Sequence, residues 1–115
     1  LNLPTSHDQH LTPINNDAHR RELRYFLLEY LHDQFPHEAA RLLAFSTDEP
    51  ERLDMLLDGR LMSMLLIRPD ASDMHEWTAR LSNIEGSLYN FPLHIPSKGH
   101  ELPPFINPYS DALNT

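Results

Sequence analysis

The sequence predicts an all-α fold: a small bundle of four to five helices, led by a short helix pair and followed by a proline-rich extended C-terminal tail. Three observations predict it. Apolar residues recur at helical spacing through 17–88. Residues that start and stop helices punctuate the same stretch. Five of the ten prolines (Pro92, Pro96, Pro103, Pro104 and Pro108) crowd into 89–115, where the periodicity ends. The expected organisation is a polar lead-in at 1–16, a helical domain at 17–88, and a strap or linear motif at 89–115. A chain of 115 residues suits one domain. It begins at Leu1 and reads as a piece of a longer protein.

The first helix is expected to start at Asn16 or Asp17, both good N-caps, and to run to about Asp33. Leu23, Phe26, Leu27, Tyr30 and Leu31 follow the i, i+3, i+4, i+7, i+8 rule of a buried face. Tyr25 and Leu28 widen that face beyond what one partner helix covers, which predicts burial on more than one side. Phe35-Pro36 closes this helix and opens a second, from about Pro36 to Phe45, because proline is tolerated in a first turn. Ala39 and Ala40 permit close approach; Leu42 and Leu43 fill the core.

Ser46-Thr47-Asp48-Glu49 matches an S-x-x-E capping box, with Pro50 behind it. The third helix carries Leu53, Leu56, Leu57, Leu61, Met64 and Leu65 and stops at Arg68-Pro69-Asp70. Asp58-Gly59 is a candidate cap that would split it in two. The fourth helix is expected from near Ser72 to around Gly86. Met74, Trp77, Leu81, Ile84 and Leu88 alternate along it at three and four residues.

The order of residues from Leu23 to Leu43 carries a resemblance. Leu23, Phe26 and Leu27 are followed by the Tyr30-Leu31 pair, a turn, the small pair Ala39-Ala40, and a closing Leu43. This resembles the lissencephaly-homology (LisH) motif. Phe35-Pro36 stands where that family usually has glycine and an aromatic, and Phe45-Ser46 where it often has an acidic residue. Glu51 to Leu61 looks like the start of the segment that follows LisH motifs in some proteins (CTLH). The resemblance implies a 17–45 helix pair that dimerises, 46–88 helices behind it, and a parent among corepressors, ubiquitin-ligase scaffolds or microtubule-associated regulators. The implied interface residues are Leu23, Tyr25, Phe26, Leu27, Leu28, Tyr30, Leu31, Ala39, Ala40 and Leu43. Tyr25 and Leu28, off the main stripe, are candidates for the contact between copies unless the later helices cover them. Aspartate at Leu27 or Tyr30 would then break fold and dimer together; at Tyr25 it would break mainly the dimer.

Charge and composition narrow the partners. The net charge is −8 with one lysine, Lys98, so no basic stripe exists for nucleic acid or an anionic membrane. No apolar run approaches transmembrane length. Cysteine is absent, which excludes disulfides and thiolate chemistry and fits an intracellular, nuclear or cytoplasmic setting. Eight histidines invite a metal: His32 and His37 straddle the helix turn at a zinc-like spacing, but His7 and His10 lie in the lead-in, His94 and His100 lie in the proline-rich tail, and no cysteine or second tight pair completes a set. Ser63, Ser72 and Ser82 lack a nucleophile elbow, and three glycines cannot build a phosphate cradle. The expectation is a non-enzymatic interaction domain that needs no cofactor and binds itself and other proteins. A monomeric helical adaptor, using its acidic surface and the Trp77 helix, is the rival reading. An acidic inhibitor that imitates nucleic acid is a third. Trp77, Leu81, Leu102 and Phe105 are candidates for a further partner surface, with Leu102-Pro103-Pro104-Phe105 the first piece to delete.

Overall fold

Asn16 starts the first helix as expected. Its side chain accepts the backbone N–H groups of Ala18 and His19 at 2.8 and 3.2 Å, satisfying two otherwise orphaned donors. The structure, a computed structural model, describes residues 16–90 and 104–113. Helix α1 spans Asp17–Gln34 and α2 spans Pro36–Phe45, joined by the single residue Phe35. Phe35 donates its N–H to the Leu31 carbonyl, closing α1, and Pro36 opens α2 at the position where it loses no hydrogen bond.

Helix α3 spans Pro50–Ser63 and α4 spans Met74–Asn90, led in by a 3-10 turn at Ala71–Asp73; a second 3-10 turn covers Ser110–Leu113. No strand occurs among the described residues, and no described helix is long and apolar enough to cross a membrane. The described residues thus form an all-helical bundle of four α-helices. Helix α1 packs against α2, α3 and the Ser110–Leu113 turn, while α4 packs on α3 and α2. Leu28, Leu42, Leu57 and Leu61 are fully buried, each contributing about 1.5–3 kcal/mol. Leu27, Leu31, Ala39, Phe45, Leu53, Leu56 and Leu88 complete the centre of the core.

Local expectations fail at four places. Ser46 does not build a capping box. It ends α2, its Oγ donating to the Leu42 carbonyl at 2.5 Å, and α3 begins at Glu49-Pro50 without a side-chain cap. Gly59 does not split α3. It lies mid-helix against Leu81 of α4: a Cβ there would sit 2.5 Å from Leu81 Cδ2, so its value is close approach. Met64 and Leu65 lie past the end of α3. Helix α4 runs on through Gly86 to Asn90.

The end of α3 is a Schellman motif. Leu66 donates to the Leu61 carbonyl at 3.0 Å and Leu65 to the Met62 carbonyl at 2.9 Å. The motif needs a left-handed residue, usually glycine, and here it is Leu65 with φ 62°. A leucine in that conformation costs roughly 1–2 kcal/mol.

Candidate interaction surface

The inward face of α1 is centred on Leu27, Leu28 and Leu31, rotated from the stripe expected around Tyr30. Leu28, expected where copies meet, has no exposed surface and so offers none to a partner. Tyr25 is half-buried against the core. The rotation turns Phe26 and Tyr30, one turn apart, outward with 52% and 55% of their surface exposed. Phe35, at the α1–α2 joint, extends the row; its ring centroid lies 6.4 Å from that of Tyr30.

Beside this row, the turn after α3 exposes Met64, Leu65 and Leu66. Between them runs a groove of about 310 Å³, walled by Leu23, Phe26, Leu27 and Tyr30 from α1 and by Leu61, Met64 and Leu66 from the end of α3. None of these residues carries a charge. An aromatic side chain covers roughly 150–250 Å², so three half-exposed rings leave on the order of 300 Å². The Met64–Leu66 turn brings the patch to roughly 600 Å², the upper end for a monomer. A standard interface buries about 800 Å² per partner, so this face supplies most of one.

The opposite flank of α1 is covered by the tail, which runs antiparallel to it. Arg21 pairs with Asp111 at 2.5 Å. Asn107 donates to the Tyr25 carbonyl at 3.0 Å and to Glu29 at 3.1 Å. Phe105 stacks on His32 with centroids 4.0 Å apart. Residues 104–113 therefore act as a strap on this domain. Leu102, named with Phe105, lies outside the described residues. Under the strap, His32, Pro36, Ala40 and Leu43 face Pro104, Phe105, Ile106 and Pro108 across a cavity of about 330 Å³.

A charged cluster ties helix, helix and strap together. Arg24 of α1 donates Nε and NH2 to the two oxygens of Asp58 on α3, each at 2.8 Å, and Arg20 approaches Asp58 at 3.6 Å. Tyr109 of the strap donates its hydroxyl to Asp54. Burial penalises the Arg24 charge, but the hydrogen bond and charge of Asp58, with Asp54 beside it, outweigh that and hold the guanidinium above its ordinary value. Burial, then the Asp54 hydrogen bond, pushes the Tyr109 hydroxyl well above its ordinary range. Every charge in the cluster has a partner within the fold, so it joins α1, α3 and the strap.

Of the expected contact residues, the structure brings Leu23, Phe26, Leu27 and Tyr30 together at the groove. Leu31 and Ala39 are buried in the core, while Ala40 and Leu43 line the strap cavity. Trp77 is half-buried beside Asp73, Glu76 and Arg80, and Leu81 packs on Gly59. Phe35, Leu65 and Leu66 were missed as exposed apolar residues. The unbroken run Met64-Leu65-Leu66-Ile67 ahead of Arg68-Pro69 was the signal for two of them. Comparison with family models, curated proteins and solved structures gives no match.

Proposed function

We propose that this chain is a non-enzymatic dimerisation and protein-interaction domain of a larger intracellular scaffold or regulatory protein, and that it pairs with a second copy of itself. One observation carries the reading: the continuous, uncharged apolar face of Phe26, Tyr30, Phe35, Met64, Leu65 and Leu66. Its aromatic and methionine content is that of interface cores. The LisH resemblance of Leu23 to Leu43 points to the same partner. In this reading Phe26 and Tyr30 form the seam, and Tyr25 and Leu28 serve the monomer.

The test is solution mass by light scattering across a concentration series. A mass rising to twice the monomer supports the reading, and a monomer at every concentration up to hundreds of micromolar overturns it. Salt separates a second copy from a basic partner protein. Two copies each carrying −8 repel, so their association tightens as salt rises, whereas docking on a basic surface weakens.

A further inference from the structure

We infer that Leu65 is the anchor of this self-association, seated reciprocally in the groove of the second copy between its α1 and the end of its α3. The inference rests on the dimer reading above and adds the residue that drives it and the hole that receives it.

Leu65 is the one non-glycine residue at positive φ among those described. The Schellman hydrogen bonds hold it there, and glycine would satisfy them without steric penalty. Within the monomer its side chain returns little, because 76% of its surface faces solvent. A strained backbone that displays a large apolar side chain is what a ligand-clamping position looks like.

The surroundings supply the matching hole. Met64 and Leu66, the neighbours of Leu65 in sequence, wall the groove, while Leu65 stands beside it without lining it. Knob and hole thus adjoin at the Met64–Leu66 turn. A two-fold axis beside that turn would set each knob against the other copy's hole, so one contact is made twice. The groove of about 310 Å³ has ample room, since a cavity of roughly 150 Å³ already admits benzene. Phe26 and Tyr30 would close over the inserted leucine and keep water out, as residues around a hot spot do.

The experiment compares wild type, Leu65→Gly and Leu65→Ala. The dimer dissociation constant is measured by sedimentation equilibrium, and the thermal midpoint is measured at concentrations where only monomer is present. Leu65→Gly is expected to raise the monomer's midpoint by about 4 °C or more while weakening the dimer at least tenfold. Leu65→Ala, which keeps the Cβ and with it the strain, is expected to weaken the dimer similarly with no thermal gain. A Leu65→Gly variant that dimerises as tightly as wild type overturns the anchor while leaving the dimer standing. So does one that gains no thermal stability, because the strain would then be absent. A wild type that never exceeds monomer mass overturns the dimer reading itself.

Discussion

Arg24 grips Asp58 with two parallel hydrogen bonds, both 2.8 Å, across the α1–α3 contact. The geometry matches a planar fork to a planar carboxylate and sets the register of the two helices. Only 12% of the Arg24 side chain and 6% of the Asp58 side chain remain exposed. Neither charge can retreat to water when the other is removed.

Asp58→Ala is therefore expected to destabilise the fold by about 3 kcal/mol, the low end for breaking a buried pair, because Asp54 stays 3.8 Å from Arg24. Replacing both partners, Arg24→Met with Asp58→Leu, should recover only part of that loss: apolar pairs of similar volume pack without desolvating charge, but the change also removes Asp58 from Arg20, 3.6 Å away. Urea denaturation followed by circular dichroism measures both. A double variant as unstable as Asp58→Ala would show that the pair does more than occupy space.

The two described glycines should respond oppositely to alanine. A Cβ on Gly86 would meet nothing within 4 Å, so Gly86→Ala should gain the helix propensity alone, about 0.5–1 kcal/mol. Gly59→Ala would press on three atoms of Leu81, the nearest at 2.5 Å. Overpacking costs typically 1–3 kcal/mol, more than propensity returns, so the net change should be a loss of about 1 kcal/mol. Leu81→Val should relieve part of it. Thermal midpoints of the two single variants moving in the same direction would contradict this assignment.

Much of this was readable from residue order, and the failures share a cause. Asn16 and Pro36 act within one turn of themselves, so the boundaries of α1 and α2 match expectation. Gly59 carries the same local signal as a cap, but its meaning comes from Leu81, 22 positions away. The Schellman residue was invisible because leucine fills a glycine position. Around α1, apolar residues nearly encircle the helix, so periodicity alone could not decide which arc faces inward. The strap settles one flank by covering it at Tyr25 and Glu29, leaving Phe26 and Tyr30 on the other. In sequence Asp58 reads only as part of a candidate cap with Gly59, and Arg24 carries no signal of its own; only the packing of α1 on α3 reveals them as partners.

Tyr109 predicts an alkaline loss of stability. Its hydroxyl must be neutral to donate to Asp54, and its folded pKa lies above its ordinary value. The stabilisation is therefore complete below the unfolded value of about 10 and is lost as pH rises beyond it. Tyr109→Phe should lower stability by about 1 kcal/mol at neutral pH and flatten the decline above pH 10. Urea midpoints at pH 8, 10 and 11 for both proteins provide the difference. Parallel curves would mean that Tyr109 contributes through burial alone.

The exposed row on α1 predicts a separation of fold from association. Phe26→Asp and Tyr30→Asp each replace a ring that is half in water, so the monomer should keep its helical content and lose no more than about 1–2.5 kcal/mol, the worth of roughly 100 Å² of covered ring. That reverses the sequence-based expectation for Tyr30, which assumed a buried ring. Each substitution also places a carboxylate in an interface lined by apolar side chains, where two-fold symmetry presents it twice. Burying such an unpaired charge is unfavourable enough that both variants should stay monomeric where wild type pairs. Leu28→Asp is the contrasting control: Leu28 is fully buried, and its substitution should unfold the domain and lose the dimer as a consequence. Tyr25→Asp removes a half-buried ring packed against the core, so it should lower stability and leave association near wild type; the Asn107 bond goes to the Tyr25 backbone carbonyl and is kept. Light scattering and circular dichroism on the same samples decide it. A folded Phe26→Asp that still doubles its mass would move the seam off α1.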